Sequence, residues 1–143
     1  MCPDVSARSP QEAVRVLVAE DDVSMRELIV ASLRADGYQV TAAGDLERLG
    51  ASVGVDTGPD AIALIVTDNR MPGCSGLEFL GALRAAHWDT PLILITAFGS
   101  EATHRHAASL GATAVLDKPF SLDLLRSVVH CAIGPAAARR RSC

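Results

Sequence analysis

Residues 62–73, IALIVTDNRMPG, decide how this chain is read. Ile62, Ala63, Leu64, Ile65 and Val66 run without a polar break, which suits a short strand buried on both faces of a sheet. The run ends on Asp68, followed at once by Asn69, a cation at Arg70 and a Met71-Pro72-Gly73 turn. That carboxylate stands where a buried strand meets solvent, as a helix cap, a turn residue or a reactive group. What else arrives at the same place decides among the three.

Outward from this strand, the pattern alternates strand and helix five times. Residues 14–19 (VRVLVA) read as a first strand. Residues 23–35 follow as a helix with Met25, Leu28, Ile29 and Leu33 on one face and Gly37 as its stop. Residues 38–43 (YQVTAA) give a second strand, and residues 45–55 a helix with Leu46, Leu49 and Val53 inward, weakened by Gly50 and Gly54. After the third strand at 62–67, Ser75 to Glu78 (SGLE) reads as a capping box opening a helix with Leu77, Leu80 and Leu83 inward. Pro91 precedes a fourth strand, LILIT. Ser100 caps a helix that ends at Leu110-Gly111. Residues 113–116 form a short fifth strand. Ser121 caps a last helix striped by Leu122, Leu125, Val128, Val129 and Ile133. Such alternation predicts a parallel sheet covered by helices on both faces, joined by right-handed crossovers.

Composition agrees with one globular domain. The 143 residues are 49% hydrophobic and 21% charged, enough to bury a core. Only 3% are aromatic and the net charge is −4, which removes both a base-stacking surface and an electrostatic footprint for nucleic acid. No apolar stretch approaches the roughly 18 residues of a membrane span, and the polar start MCPDVSARSPQEA has no signal-peptide core. Cys2, Cys74, Cys131 and Cys143 show no CxxC spacing, so a reducing, cytoplasmic setting is expected. Residues 1–13 read as a flexible leader and 14–133 as the domain. Residues 134–143, with Arg139, Arg140 and Arg141, read as a tail or the start of a linker. The chain is then a stand-alone domain or one portion of a longer protein.

In open parallel sheets, function gathers at the carboxyl ends of the strands. Here that edge collects Glu20, Asp21 and Asp22 after the first strand, Asp68 after the third, Thr96 after the fourth and Lys118-Pro119 after the fifth. The three acids alone also suit a helix N-terminus, where the dipole favours negative charge. That reading leaves Asp68, Thr96 and Lys118 at the same rim unexplained. Crowded carboxylates resist ionising beside one another, and a hard divalent cation such as Mg²⁺ or Mn²⁺ removes the conflict. A carboxylate nucleophile beside a metal, an ammonium and a hydroxyl suits phosphoryl chemistry through an aspartyl phosphate, with Asp68 as the nucleophile.

EDD at 20–22, TDNRMPG at 67–73, ITA at 95–97 and DKPF at 117–120 together resemble the signature blocks of bacterial response-regulator receiver domains. The resemblance covers residues 14–133. It implies a CheY-like, flavodoxin-like (βα)5 fold: a doubly wound five-stranded parallel sheet of order 2-1-3-4-5 flanked by five helices. It implies Asp68 as phosphoacceptor, taking a phosphoryl group from a sensor histidine kinase or a phosphotransfer protein. Glu20, Asp21, Asp68 and the backbone carbonyl of Arg70 would hold Mg²⁺. Thr96 matches the switch hydroxyl, Lys118 the phosphate-pairing lysine, and Pro119 a Lys-Pro bond that is often cis. The Arg70 side chain either contacts the phosphate or is a solvated loop arginine, and Phe98 occupies a place that tunes phosphoryl lifetime. Receivers often dimerise through the face of the fourth helix, fifth strand and fifth helix, which is where a homodimer would form; the sequence itself carries no charge pattern that decides the oligomeric state. The resemblance implies no direct nucleic-acid binding, no membrane span and no turnover enzyme.

One departure is Val115, where many receivers carry the aromatic ring that relays phosphorylation to that face. Its absence keeps a degenerate receiver, used only for docking, as an alternative. An aspartyl-nucleophile phosphatase is a further one, but it wants a second acid where Arg70 stands. A flavin-binding module wants a Ser/Thr/Gly loop where the three acids stand. His104 and His106, two apart on a helix, face different directions and are expected to be solvent-exposed. His87 and His130 have no visible ligand partners, and Trp88 is expected to pack at the end of the third helix.

Overall fold

The computed structural model describes residues 14–45, 48, 62–97 and 99–142, with side chains as far as Ile133. The leader, most of the expected second helix and Phe98 lie outside the described residues. In chain order the elements are β1 (Arg15–Ala19), α1 (Val23–Ala35), β2 (Gln39–Ala43), β3 (Leu64–Asp68), α2 (Gly76–Ala85), β4 (Leu92–Thr96), α3 (Glu101–Ser109), β5 (Ala114–Asp117) and α4 (Leu122–Ser142). The five strands form one parallel sheet, as the alternating pattern predicts, in the order β2-β1-β3-β4-β5 that the resemblance implies.

Period-two alternation sorts the strand residues onto two faces. Val16, Val18, Leu64, Val66, Ile93, Ile95 and Leu116 pack with Ile29 and Leu33 of α1 and with Leu125, Val129 and Ile133 of α4. Leu17, Ala19, Ile65, Leu92 and Leu94 pack on the other side, with Leu80 and Leu83 of α2 and Ala107 of α3. Both faces of β1, β3 and β4 are therefore dry, which is why their sequences read as continuous aliphatic runs. The face expected for α1 is corrected at one position. Leu28 is 51% exposed, and Val30 packs against the core instead. At 100° per residue, a stripe centred on Ile29 and Leu33 takes in Met25 and Val30 and turns Leu28 outward.

The helix ends follow the local chemistry. Ser75 and Glu78 form the expected capping box, with Ser75 Oγ accepting from the Glu78 N–H at 3.0 Å and Glu78 Oε1 accepting from the Ser75 N–H at 2.9 Å. Ser100 Oγ accepts from the Thr103 N–H, and Ser121 Oγ from the Leu124 N–H. Gly37 (φ 96°) and Gly111 (φ 85°) take left-handed conformations just past α1 and α3, where a side chain would be strained. Arg84, in the last turn of α2, donates to three carbonyls: Leu110 at 3.0 Å, Trp88 at 2.6 Å and Gly111 at 3.1 Å. One guanidinium thus closes the ends of α2 and α3 together.

Gly76 opens α2 against β3 and β4. A Cβ there would lie 2.6 Å from Leu94 Cδ1 and 3.0 Å from the Asp68 carbonyl oxygen. Leu94 is fully buried, so any adjustment of it must be made inside the core. Gly76→Ala is therefore expected to lower stability by roughly 1–3 kcal/mol through overpacking, read by urea denaturation. An unchanged midpoint would show that Leu94 repacks without strain.

Candidate functional site

Three strand ends deliver the site. Glu20 directly follows β1, Asp68 is the last residue of β3, and Lys118 directly follows β5. Glu20 is 1% and Asp68 4% exposed, depths at which an unpaired carboxylate is costly. Lys118 Nζ donates to Asp68 Oδ2 at 2.7 Å and lies 3.4 Å from Glu20 Oε1. The second contact is an ion pair without hydrogen-bond geometry, since Glu20 Oε1 is buried with no hydrogen-bond partner. Asp68 Oδ1 accepts from the Arg70 N–H at 3.0 Å, so each oxygen of this carboxylate is held and the group is fixed in orientation.

Glu20 is tethered from two more sides. Its Oε2 accepts from the Asp22 N–H at 3.2 Å, and its backbone carbonyl accepts from Arg26 Nη1 at 2.8 Å. The three acids at 20–22 divide their work. Asp22 caps α1, with Oδ1 accepting from the Ser24 N–H. Glu20 and Asp21 join Asp68 in a group whose ligand oxygens all lie within 4.8 Å of one another. The cap falls to Asp22, and the carboxylate cluster to Glu20 and Asp21 with Asp68.

Electrostatics follow from the burial. Glu20 is pushed up to about 7, first by desolvation and further by the charge of Asp68, while the Asp22 N–H and Lys118 pull the other way. Burial alone would lower Lys118, but the hydrogen bond to Asp68 and the charges of Glu20 and Asp68 outweigh it, so the ammonium stays above its ordinary value. The donors of this cluster are oxygens only, one buried oxygen lacks a hydrogen bond, and exposed Asp21 leaves the cluster open to solvent. That donor set fits Mg²⁺ or Mn²⁺.

Thr96 ends β4, 2% exposed, and its carbonyl accepts from the Lys118 N–H at 2.8 Å. It lies one residue beyond Ile95, which pairs with Asp68, and itself pairs with Asp117. Arg70 is exposed and makes contacts of its own beyond the backbone bond to Asp68. The Lys118–Pro119 bond is cis. Asn69 steers the turn after Asp68: its Oδ1 accepts from the Leu77 N–H and its carbonyl from the Gly76 N–H. Cys74, beside that turn, is not activated, since burial and Glu78 push its thiol up.

Two features escaped the sequence. The Arg26 tether spans six residues and links a side chain to a backbone oxygen, which no spacing rule announces. His104 is not simply solvated. Its Nε2 lies 3.0 Å from Asp117 Oδ1. His106 is exposed, as expected, and Trp88 packs against the core beneath α2.

Comparison with known proteins places these features in context. The family model for the response regulator receiver domain matches residues 16–130. The transcriptional regulatory protein FixJ of Bradyrhizobium diazoefficiens is 32% identical over 89% of this chain, which spans 60% of that protein's length. The probable chemotaxis protein CheY of Rhizobium etli is 32% identical over 86% of this chain and 95% of its own length. The chemotaxis response regulator CheY4 of Vibrio cholerae superposes with a TM-score of 0.72 at 27% identity, covering 84% of this chain and 98% of its own.

Without metal, folded Glu20 keeps its proton up to about pH 7, whereas the unfolded carboxyl loses it near 4.5. Between those values the folded state binds more protons, so this group's contribution is lost as pH rises through about 7. Glu20→Gln is expected to melt at a higher temperature than wild type above pH 7 without metal, and to show a shallower fall in stability from pH 5 to 7. Added Mg²⁺ should stabilise wild type and leave the variant unmoved. Parallel pH curves for the two proteins would refute this assignment.

Proposed function

Because the chain belongs to the response-regulator receiver domain family, we propose that it accepts a phosphoryl group on Asp68 and signals by altering its surface. The observation that carries this reading is the Lys118 ammonium held 2.7 Å from Asp68 and 3.4 Å from Glu20, three groups drawn from three strand ends. The donor would be the phosphohistidine of a sensor kinase or of a phosphotransfer protein. An Asp68 carboxylate oxygen attacks phosphorus, the P–N bond breaks, and its electron pair leaves with the imidazole. Hydrolysis of the resulting mixed anhydride returns the carboxylate and inorganic phosphate.

Each residue has a task in that reaction. The fixed carboxylate plane of Asp68 presents one oxygen in line, saving orientational freedom at the moment of attack. Lys118, a compact point charge, moves from the carboxylate to the phosphoryl oxygens as negative charge gathers there. Thr96, at the end of β4, supplies a hydroxyl to the same group. Glu20, Asp21, Asp68 and the Arg70 carbonyl would hold Mg²⁺. When bound, the ion neutralises phosphoryl charge and relieves the repulsion between Glu20 and Asp68. The steps act on the protein itself, so no external substrate is turned over.

Incubation with Mg²⁺ and acetyl phosphate or phosphoramidate, followed by intact mass, tests this. One base-labile phosphoryl adduct is expected in wild type, absent from Asp68→Asn and lost with EDTA. An equally labelled Asp68→Asn protein would sink the assignment, and sustained turnover of a generic phosphate ester would favour the phosphatase alternative. Lys118→Ala should fold but form adduct on the order of 10²-fold more slowly, by analogy with the loss of a single charge-stabilising donor. An unchanged rate would remove Lys118 from the chemistry.

A further inference from the structure

We propose that the His104–Asp117 pair is a catch that couples the phosphoryl site to α3. The proposal rests on the reading of Asp68 as phosphoacceptor and gives it a route outward. Asp117 pairs with Thr96 across the β4–β5 ladder and immediately precedes Lys118, whose ammonium holds Asp68. Its carboxylate accepts a hydrogen bond at 3.0 Å from His104 Nε2, on the second turn of α3. A carboxylate can only accept, so this ring nitrogen carries the proton. The bridge therefore ties α3 to the last residue of β5, next to the lysine that holds Asp68.

Gly99, between β4 and α3, lies close to this bridge. A Cβ on Gly99 would collide with Asp117 Oδ1, and would lie 2.7 Å from Thr96 Cγ2 and 3.2 Å from His104 Nε2. Only glycine leaves room there for the loop and the pair together. Side-chain atoms of Thr96, His104 and Asp117 thus converge on the one point where a side chain of residue 99 would begin. Strand parity explains the location: Thr96 and Asp117 alternate with the residues facing α1 and α4, and so belong to the side covered by α2 and α3.

The helix at the other end of the bridge is built to move as a piece. Among its residues only Ala107 is buried, so little apolar contact holds it. Its C-terminal end is fastened by Arg84 through the Leu110 and Gly111 carbonyls. Its N-terminal half is fastened by His104. The His104 and Asp117 side chains are 39% and 54% exposed, and a bridge so open to water is weak enough to be released. When Lys118 leaves the Asp68 carboxylate for a phosphoryl group, Asp117 is carried with it and the catch opens. This path needs no aromatic ring at Val115.

The test uses the full chain with Mg²⁺ and acetyl phosphate, following adduct by intact mass and the histidine rings by two-dimensional NMR, with His104 assigned from the spectrum of His104→Ala. On phosphorylation the His104 ring resonance should move while those of His87 and His130 stay in place. If the catch holds the unphosphorylated form, His104→Ala should gain adduct about threefold faster, the scale of an exposed ion pair. Gly99→Ala, which wedges the bridge open from the loop side, should do the same. The double variant His104→Ala/Asp117→Ala should match Asp117→Ala alone, because one interaction cannot be lost twice. Adduct formation with an unmoved His104 ring, or additive effects in the double variant, would overturn the catch and leave the phosphoacceptor standing. No adduct in wild type would overturn both.

Discussion

An ammonium lodged between two buried carboxylates is the interaction on which the rest of this molecule depends. Like charges a few ångströms apart repel by about 4 kcal/mol even at the moderate effective dielectric of a protein edge. Glu20 and Asp68 are both almost out of reach of water, so solvent relieves little of that. Lys118 lies 2.7 Å from Asp68 but 3.4 Å from Glu20, and Glu20 keeps one oxygen without a hydrogen bond. The arrangement stays tense at a single atom. A divalent cation held by this cluster would relieve the tension at that same atom.

The sheet makes that concentration of charge affordable. Two dry faces leave β1, β3 and β4 nowhere to put polar groups except their ends, and parallel strands bring all the carboxyl ends to one edge. Alternation then divides the edge. Glu20, Asp68 and Lys118 continue the parity of the residues facing α1 and α4, while Thr96 and Asp117 continue the parity of the α2 and α3 side. Lys118 and Asp117 are neighbours in the chain on opposite faces. One peptide unit therefore joins the two sides of the sheet at this edge.

Much of this was legible in the sequence because the signals were local. Aliphatic runs gave the strands, Ser75 with Glu78, Ser100 and Ser121 gave the helix starts, and acids or a lysine just past each strand gave the site. Strand limits moved by a residue or two; Asp68 belongs to β3 rather than following it. Leu28 was misplaced because an aliphatic residue can sit on the shoulder of a stripe without entering the core. Contacts between distant residues stayed hidden for a physical reason. His104 meets Asp117 only because a helix and a strand come together in three dimensions, and Arg84 reaches Leu110 across 26 residues.

Arg84 has a further effect, on the polarity of the molecule as a whole. The C-terminal poles of α2 and α3 carry partial negative charge, and one guanidinium bonds carbonyls at both. Their N-terminal poles, with partial positive charge, point toward the edge that holds Asp68. Neutralising the far poles leaves the near ones less opposed, so the field across these two helices is skewed toward the carboxyl edge.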